Sequence, residues 1–277
     1  LQRGAEINVQ DSSGVTALMA AAGYGHERVV ELMLQRGAEV NLQDSDGGTA
    51  LMLAASQGHE RVVDLLLLRR GADANLQNSN GGTALIHAAG HGHERVVELL
   101  LQRGAEVNLQ NSNGGTALMH AAAKGHERVV ELLIRHGAEV DLQSSAGRTA
   151  LMGAACNGHE RVVALLLQRG AEIDLQDSNR LTALMIAADD GHERVVDVLL
   201  QRGAEINGQG STGNTALILA AWKGHDRVFN LLLHCGAAIN KQNSNGWTAL
   251  MLAALNGHER VAELLLQRGV EINKQNS

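Results

Sequence analysis

The sequence contains no proline, and aromatic residues make up only 1% of it. Hydrophobic residues nevertheless account for 44% of the 277 positions, so the chain carries enough apolar material for a core. With only four aromatic residues, that core must be built mainly from Ala, Val and Leu side chains that pack closely. The composition therefore favours a thin, close-packed core over a deep one.

The chain is also poor in cysteine, with Cys156 and Cys235 as the only two. Few cysteines and the absence of any Asn-x-Ser/Thr acceptor are typical of an intracellular, cytoplasmic protein in a reducing compartment. No apolar run approaches the roughly 18 residues that a membrane-spanning helix needs. The net charge of −7 is a poor electrostatic match for nucleic acid, where Lys and Arg contacts to phosphates supply most non-specific affinity.

What the sequence does have is a repeat. The tripeptide Thr-Ala-Leu occurs eight times, at steps of 33 residues with a single step of 34. Its threonines are Thr16, Thr49, Thr83, Thr116, Thr149, Thr182, Thr215 and Thr248. The extra residue lies in the segment Leu65–Arg70, near the end of a predicted helix. We expect it to be looped out or absorbed by a wider last turn.

Each copy predicts two short helices and a turn. In the fourth copy, Thr116 is suited to cap a first helix over 117–124, because its hydroxyl can accept a backbone N–H. Gly125 suits the left-handed residue that ends this helix. Apolar residues at helical spacing predict a second helix over 127–135. The polar composition of the segment 138–147 predicts an extended turn or hairpin. Helices this short are marginal alone, so the copies must stack on one another.

The motifs Thr-x-Leu-x-x-Ala-Ala-x-x-Gly-His, Val-Val-x-Leu-Leu and Gly-Ala-x-Val-Asn, repeated in this order, resemble the ankyrin repeat. The resemblance implies an all-α repeat fold, a helix-turn-helix solenoid with short β-hairpin or turn tips. It covers residues 1–277 as a single array of about eight repeats with partial repeats at both ends, which we interpret as part of a longer array. It also implies a monomeric, non-catalytic protein-binding scaffold without a cofactor.

The chain departs from the family pattern at the start of each first helix. The family usually has Thr-Pro-Leu-His, whereas this chain has Thr-Ala-Leu followed by Met or Ile. The family's His ties the helix to its capping Thr, so we expect apolar packing in place of a hydrogen bond. The substituting residues are Met19, Met52, Ile86, Met119, Met152, Met185, Ile218 and Met251.

Comparing the copies separates constant from variable positions. The constant residues include His-Glu-Arg-Val-Val in the second helix and the turn residues equivalent to Gln110 and Ser112. We interpret them as scaffold, with a hydrogen-bonded ladder between adjacent turns. The variable residues fall at the end of the first helix and at the turn tip, which together line the concave groove in the ankyrin architecture.

The variable positions provide the candidate partner-binding residues. We expect Trp222, Trp247 and Leu255 to lie close together as an apolar contact, because Trp is often an interface anchor. The alternative is that the two tryptophans only fill packing gaps. The full candidate set is Trp222, Trp247, Leu255, Lys223, Tyr24, Leu181, Asp189, Asp190, Arg148, Lys124 and His91.

The sequence gives little support for a catalytic site or a metal site. The eight histidines of the Gly-His pairs recur one helix spacing apart, which is too far for two of them to share a zinc ion. The resemblance implies that their rings bond to the backbone of a neighbouring turn. His87, His91 and His120 have the one spacing that could hold a metal, but packing is the simpler reading. Asp189 and Asp190 point in different directions from one helix, so they do not form an acid–base pair.

Two alternatives stay open. The array could be a structural spacer or self-association module within a larger protein. The resemblance also makes Asn41 and Asn108 conceivable hydroxylation substrates, because the equivalent asparagine is modified in some ankyrin proteins.

Overall fold

The computed structural model describes residues 6–267. Within them the chain forms sixteen α-helices that pair along the sequence. They fall into two compact units, residues 1–145 and 146–277. The first unit contains α1 (Ala17–Gly23), α2 (Glu27–Gln35), α3 (Ala50–Gln57), α4 (Glu60–Arg70), α5 (Ala84–His91), α6 (Glu94–Gln102), α7 (Ala117–Lys124) and α8 (Glu127–Arg135).

The second unit repeats the same arrangement. It contains α9 (Ala150–Cys156), α10 (Glu160–Gln168), α11 (Ala183–Asp190), α12 (Glu193–Gln201), α13 (Ala216–Lys223), α14 (Asp226–His234), α15 (Ala249–Leu255) and α16 (Glu259–Gln267). The single array over 1–277 stays a prediction; of its terminal partial repeats, residues 1–5 and 268–277 lie outside the described residues.

Each first helix begins at a buried threonine, as predicted. In the fourth copy, the Thr116 hydroxyl accepts a hydrogen bond from the backbone N–H of Met119 at 3.3 Å. The same bond forms in the other seven copies. The helix then stops at Gly125, whose left-handed backbone, with φ +75°, suits a residue without a side chain. The threonine and the glycine thus fix the two ends of a helix too short to persist alone.

The core lies between the helices of successive copies. First helices pack on first helices and second helices on second helices, as α3 does on α5 and α4 on α6. The paired alanines, such as Ala88 and Ala89, have no exposed surface, so neighbouring backbones approach closely. Val96, Val97 and Leu100 of α6 are equally buried. The thin aliphatic core expected from the composition is confirmed.

The methionines at the family's His position are mostly buried, but one retains a polar role. The backbone N–H of Thr16 donates to the Met19 sulfur at 3.4 Å, a weak bond of the kind a thioether accepts. At this copy the prediction that apolar packing simply replaces the hydrogen bond was wrong. The sulfur can take this role because the methionine occupies the third position of the helix, where a side chain reaches back to the cap.

The constant Gln residues form the predicted ladder. The Gln77 side-chain amide donates to the carbonyl of Gly81 in its own turn and to the carbonyl of Gln110 in the next turn, both at 2.9 Å. The backbone N–H of Ser112 adds a bond to the Asn80 carbonyl at 2.9 Å. The tips are hydrogen-bonded turns rather than strands. In the described residues the one β-bridge is isolated and joins Gln10 to Thr16.

The Asn of the Gly-Ala-x-Val-Asn motif also joins adjacent copies. The Asn108 side chain accepts from the backbone N–H of Glu139 at 3.0 Å and donates to its carboxylate at 3.1 Å. Asn41 accepts from the backbone N–H of Asp73 at 3.0 Å. These contacts give both asparagines a structural role, and their hydroxylation stays a prediction.

The extra residue of the second copy is absorbed by a wider last turn, one of the two predicted solutions. Helix α4 has 11 residues where α6 has 9. In α6 the turn closes when the N–H of Ala105 donates to the Leu100 carbonyl, five residues back. In α4 the N–H of Ala72 donates to the Leu66 carbonyl, six residues back, at 3.2 Å.

The Gly-His histidines are structural, as predicted. The His93 ring hydrogen-bonds through Nε2 to the backbone carbonyl of Ser56 at 3.0 Å, at the end of the preceding first helix. The ring also fills the space beside Gly58, where an added Cβ would lie 2.6 Å from Nδ1. Because the histidine binds a backbone oxygen, the side chain at position 56 and its equivalents is free to vary.

Candidate partner-binding cleft

In the second unit, the two variable positions meet at one cleft of about 490 Å³. We call Arg148, Leu181, Asn214 and Trp247 the tip residues, because they occupy one position in four successive turns. Cys156, Asp189, Trp222 and Leu255 are the helix-end residues of the same copies. The first three members of each set line the cleft. Ile186 and Leu219, from the middle of α11 and α13, also line it.

The structure brings five of the candidate residues to this cleft: Arg148, Leu181, Asp189, Asp190 and Trp222. Neither Trp247 nor Leu255 belongs to its lining. In the described residues, no ring contact joins the two tryptophans. Trp247 is half-buried, and Leu255 is 66% exposed. The expected grouping of Trp222 with both of them therefore finds no support at the cleft, and their role in binding stays a prediction.

Arg148 at the edge of the cleft is tied down by a buried carboxylate. Its Nε lies 3.1 Å from Oδ2 of Asp177, whose side chain is 1% exposed. The other oxygen of Asp177 accepts the backbone N–H groups of Asn179 and Leu181 at 2.9 Å each. The sequence analysis did not single out Asp177, although it occupies the turn position held by Asp44 and Asn111. Arg148 is thereby fixed in place by the tip that carries Leu181.

Burial raises the pKa of two groups that line the cleft, Cys156 and Asp189. Burial, followed by the hydrogen bond and charge of Asp190, raises the pKa of the Cys156 thiol, so the thiol stays protonated at neutral pH. Burial is also the main cause that raises the pKa of Asp189, and the nearby Asp190 adds to it, while Lys223 and His225 oppose it. One oxygen of Asp189, Oδ1, is buried and is the one such side-chain atom in the described residues without a hydrogen-bond partner.

Trp222 supplies the aromatic surface of the cleft. Its side chain is 43% exposed, and the Lys223 ammonium lies 5.0 Å from the ring centroid, within cation–π range. The backbone carbonyl of Trp222 accepts from Nε2 of His258 at 2.9 Å. The backbone is therefore held by the scaffold while the indole stays partly exposed.

The tip above the cleft contains a backbone feature that sequence reasoning missed. Arg180 has φ +57° and is the one non-glycine residue with positive φ in the described part of the chain. The equivalent residues in the neighbouring turns are glycines, Gly147 with φ +72° and Gly213 with φ +74°. The signal was present in the sequence, because Asn-Arg-Leu replaces the Asn-Gly-Gly of other copies. Strained backbone of this kind often accompanies functional sites.

The three candidates in the first unit do not share a cleft of this kind. Tyr24 is 78% exposed, and its ring stacks on His26 with centroids 6.1 Å apart. His91 is exposed, and its Nδ1 hydrogen-bonds to the His87 carbonyl at 2.9 Å. Lys124 is exposed at the end of α7. These residues stay candidates only by their equivalence to the helix-end positions.

Two histidines of the cluster in the first unit, His91 and His120, bond to backbone carbonyls. The His120 Nδ1 hydrogen-bonds to the Thr116 carbonyl at 2.8 Å. Burial, followed by the charges of His91 and His120, lowers the pKa of His87, which keeps its ring neutral. Within residues 6–267, no group of three or more His, Cys, Asp or Glu side chains is arranged to hold a metal.

The stacked helix pairs, the glycine-ended first helices and the Gln ladder define a helical repeat protein. A family model for ankyrin repeats matches residues 1–78, 65–144, 100–177, 134–210, 151–243 and 208–276. The chain therefore belongs to the ankyrin repeat family. A search of curated proteins found no significant match.

Ankyrin repeats are generally protein–protein interaction modules, and the proteins that contain them are typically non-catalytic scaffolds. In the part of the chain that the structure describes, no helix combines the length and the apolar character needed to cross a membrane.

Proposed function

We propose that this protein is a non-catalytic interaction scaffold, and that the cleft lined by Arg148, Leu181, Asp189 and Trp222 binds a segment of a partner protein. The proposal rests on one observation: constant and variable residues have separate roles within each copy. Constant residues bind backbone atoms, as His258 does at Trp222, and the side chains left free at those positions differ in every copy of the second unit. Variation is thus concentrated where it does not disturb the fold.

The composition of the cleft supports a protein partner. The cleft has a volume of about 490 Å³. It combines an exposed tryptophan with charged residues at its margin. Trp and Arg anchors surrounded by polar side chains are the usual composition of an interaction hot spot.

The first test is site-specific photo-crosslinking in cells. A benzophenone amino acid placed at position 222 should crosslink to a partner, whereas the same group at Arg194, exposed on the second helix α12, should not. Equal crosslinking from both positions, or from neither, would contradict the proposal.

The second test measures affinity for the crosslinked partner. Trp222→Ala should weaken binding by tenfold or more, because a buried Trp anchor is worth about 2 kcal/mol or more. Leu32→Ala is the control, because Leu32 is an apolar residue of α2 that is 42% exposed and lies outside the cleft lining. If the array were only a spacer, neither change would affect binding, and only core changes such as Val129→Ala would alter its behaviour. A monomeric state and an intracellular location remain predictions.

A further inference from the structure

The charged groups around the cleft do not satisfy all the hydrogen bonds of the Asp189 carboxylate. Arg148 is already paired with the buried Asp177. Lys223 lies against the indole of Trp222, and its charge also acts on Asp189 without forming a hydrogen bond to its buried oxygen. Asp189 keeps a buried oxygen, Oδ1, without a hydrogen-bond partner in the described residues. A buried acceptor without a hydrogen bond is unfavourable, so a donor supplied by a ligand would recover the lost hydrogen-bond free energy.

The scaffold does not require an acid at this position. Gly23, Ser56, Gly90, Ala123, Cys156, Trp222 and Leu255 stand at the equivalent position of the other copies. The scaffold contact made there uses the backbone carbonyl of Asp189, which bonds to Nε2 of His225 at 2.9 Å. The carboxylate is therefore an addition that folding does not demand, and it lies in the lining of the cleft.

The apolar part of the cleft stands beside this carboxylate. Leu181 is half-buried, Trp222 is 43% exposed, and Ile186 and Leu219 form a buried base. Long basic side chains place their methylene stems on such surfaces while the charged group reaches a polar site. A cation next to an indole gains a further attraction from the ring.

We propose that the cleft recognises an extended partner segment in which one Lys or Arg side chain stands beside an aliphatic side chain. The cation would meet the carboxylates of Asp189 and Asp190, and the aliphatic side chain would pack on Leu181 and Trp222. This specificity rests on the proposed function, because it assumes that the cleft binds protein.

The test is selection from a displayed library of random twelve-residue peptides on the intact 277-residue protein. Peptides that depend on Trp222 are identified by counter-selection against the Trp222→Ala variant. We expect these peptides to be enriched in a basic residue next to Leu, Ile or Val. Synthetic versions in which norleucine replaces the Lys, or citrulline replaces the Arg, should bind about fivefold or more weakly, because the positive charge is lost while the aliphatic stem is kept.

The protein side is tested with the double variant D189N/D190N. It should weaken the selected basic peptides about fivefold or more and remove the salt dependence of their binding. The matched control is the double variant D46N/E94Q, which removes two negative charges outside the cleft lining and should leave binding unchanged. Circular dichroism on each variant establishes that its fold is intact.

The outcomes separate the two proposals. If Trp222-dependent peptides appear without a basic residue, or bind D189N/D190N as well as the parent, the specificity for a cation is wrong while the binding cleft stands. If no selected peptide depends on Trp222, the proposed function fails and this inference fails with it.

Discussion

Arg180 occupies a backbone conformation that L-residues avoid. With φ +57° it takes the left-handed place of a glycine, at a cost of about 1–2 kcal/mol. We predict that Arg180→Gly raises the free energy of unfolding by about this amount, measured by urea denaturation. The substitution also removes an exposed hydrogen bond of 3.5 Å from the Arg180 side chain to Gln176, which contributes little. The reverse change, Gly213→Arg, is the control and should destabilise, since a Cβ there would lie 2.5 Å from the backbone nitrogen of Ser244. Equal or lower stability for Arg180→Gly would show that its backbone is not strained.

Asp189 is predicted to destabilise the free protein at neutral pH. Burial raises its pKa above the ordinary value of 3.8, so the folded state binds the proton more tightly than the unfolded state. The resulting contribution to stability is complete below pH 3.8 and is lost as the pH rises through the folded-state pKa. Asp189→Asn should therefore unfold at a higher temperature than the parent at pH 7, with the difference narrowing towards pH 3.5. Asp46→Asn controls for the loss of one charge. A lower melting temperature for Asp189→Asn at pH 7 would contradict the prediction.

These residues show where sequence reasoning stopped. The roles of the constant residues could be predicted from the sequence, since a Thr before a helix or a Gly after it has one dominant use. The sequence showed Arg180 only as a departure from the repeat pattern. Its backbone strain could not be predicted, because it depends on the left-handed conformation that this turn adopts. The charge balance at Asp189 could not be predicted, because it depends on Arg148 being paired with a residue 29 positions away, Asp177.

At the scale of the element, helix α4 tests how the array tolerates an insertion. Its last turn is closed by a bond from Ala72 to the Leu66 carbonyl, six residues back instead of five. Deleting Leu68, which is 58% exposed, restores the spacing of the other copies. We predict that this deletion stabilises the protein and slows amide exchange at the end of α4. Deleting Leu101 from the regular α6 is the control and should destabilise, because it leaves the turn one residue short. If both deletions destabilise equally, the wide turn is not a source of strain.

Element boundaries were the most predictable part of the fold. The expected bounds of α7 and α8, 117–124 and 127–135, are those observed. The repeat made this possible, because eight copies of one pattern average out local ambiguity. The structure of the turn tips was harder to predict, since a hairpin and a turn share the same Gly-rich and polar composition. The difference lies in the hydrogen bonds, which here run from Gln side chains to successive turns instead of between paired strands.

At the scale of the whole molecule, contacts between copies use atoms that every copy possesses. The constant histidine binds a carbonyl and the constant Gln binds two, so the scaffold does not depend on the side chains that vary. An array held in this way gains its stability as a sum over neighbouring copies. Individual copies should therefore be removable, provided that the register is kept.

We predict that deleting residues 84–116, one full copy of the first unit, leaves a folded and cooperative protein. The deletion joins Thr83 to Ala117, so the threonine still caps a helix, and His126 is brought into register with the carbonyl of Ser56 that His93 binds in the parent. Helicity by circular dichroism should persist, and the urea m-value should fall in proportion to the surface removed. Deleting residues 87–116 instead lengthens the step by three residues and misaligns the caps, which should cost far more stability. Equal tolerance of both deletions would mean that register does not hold the array together.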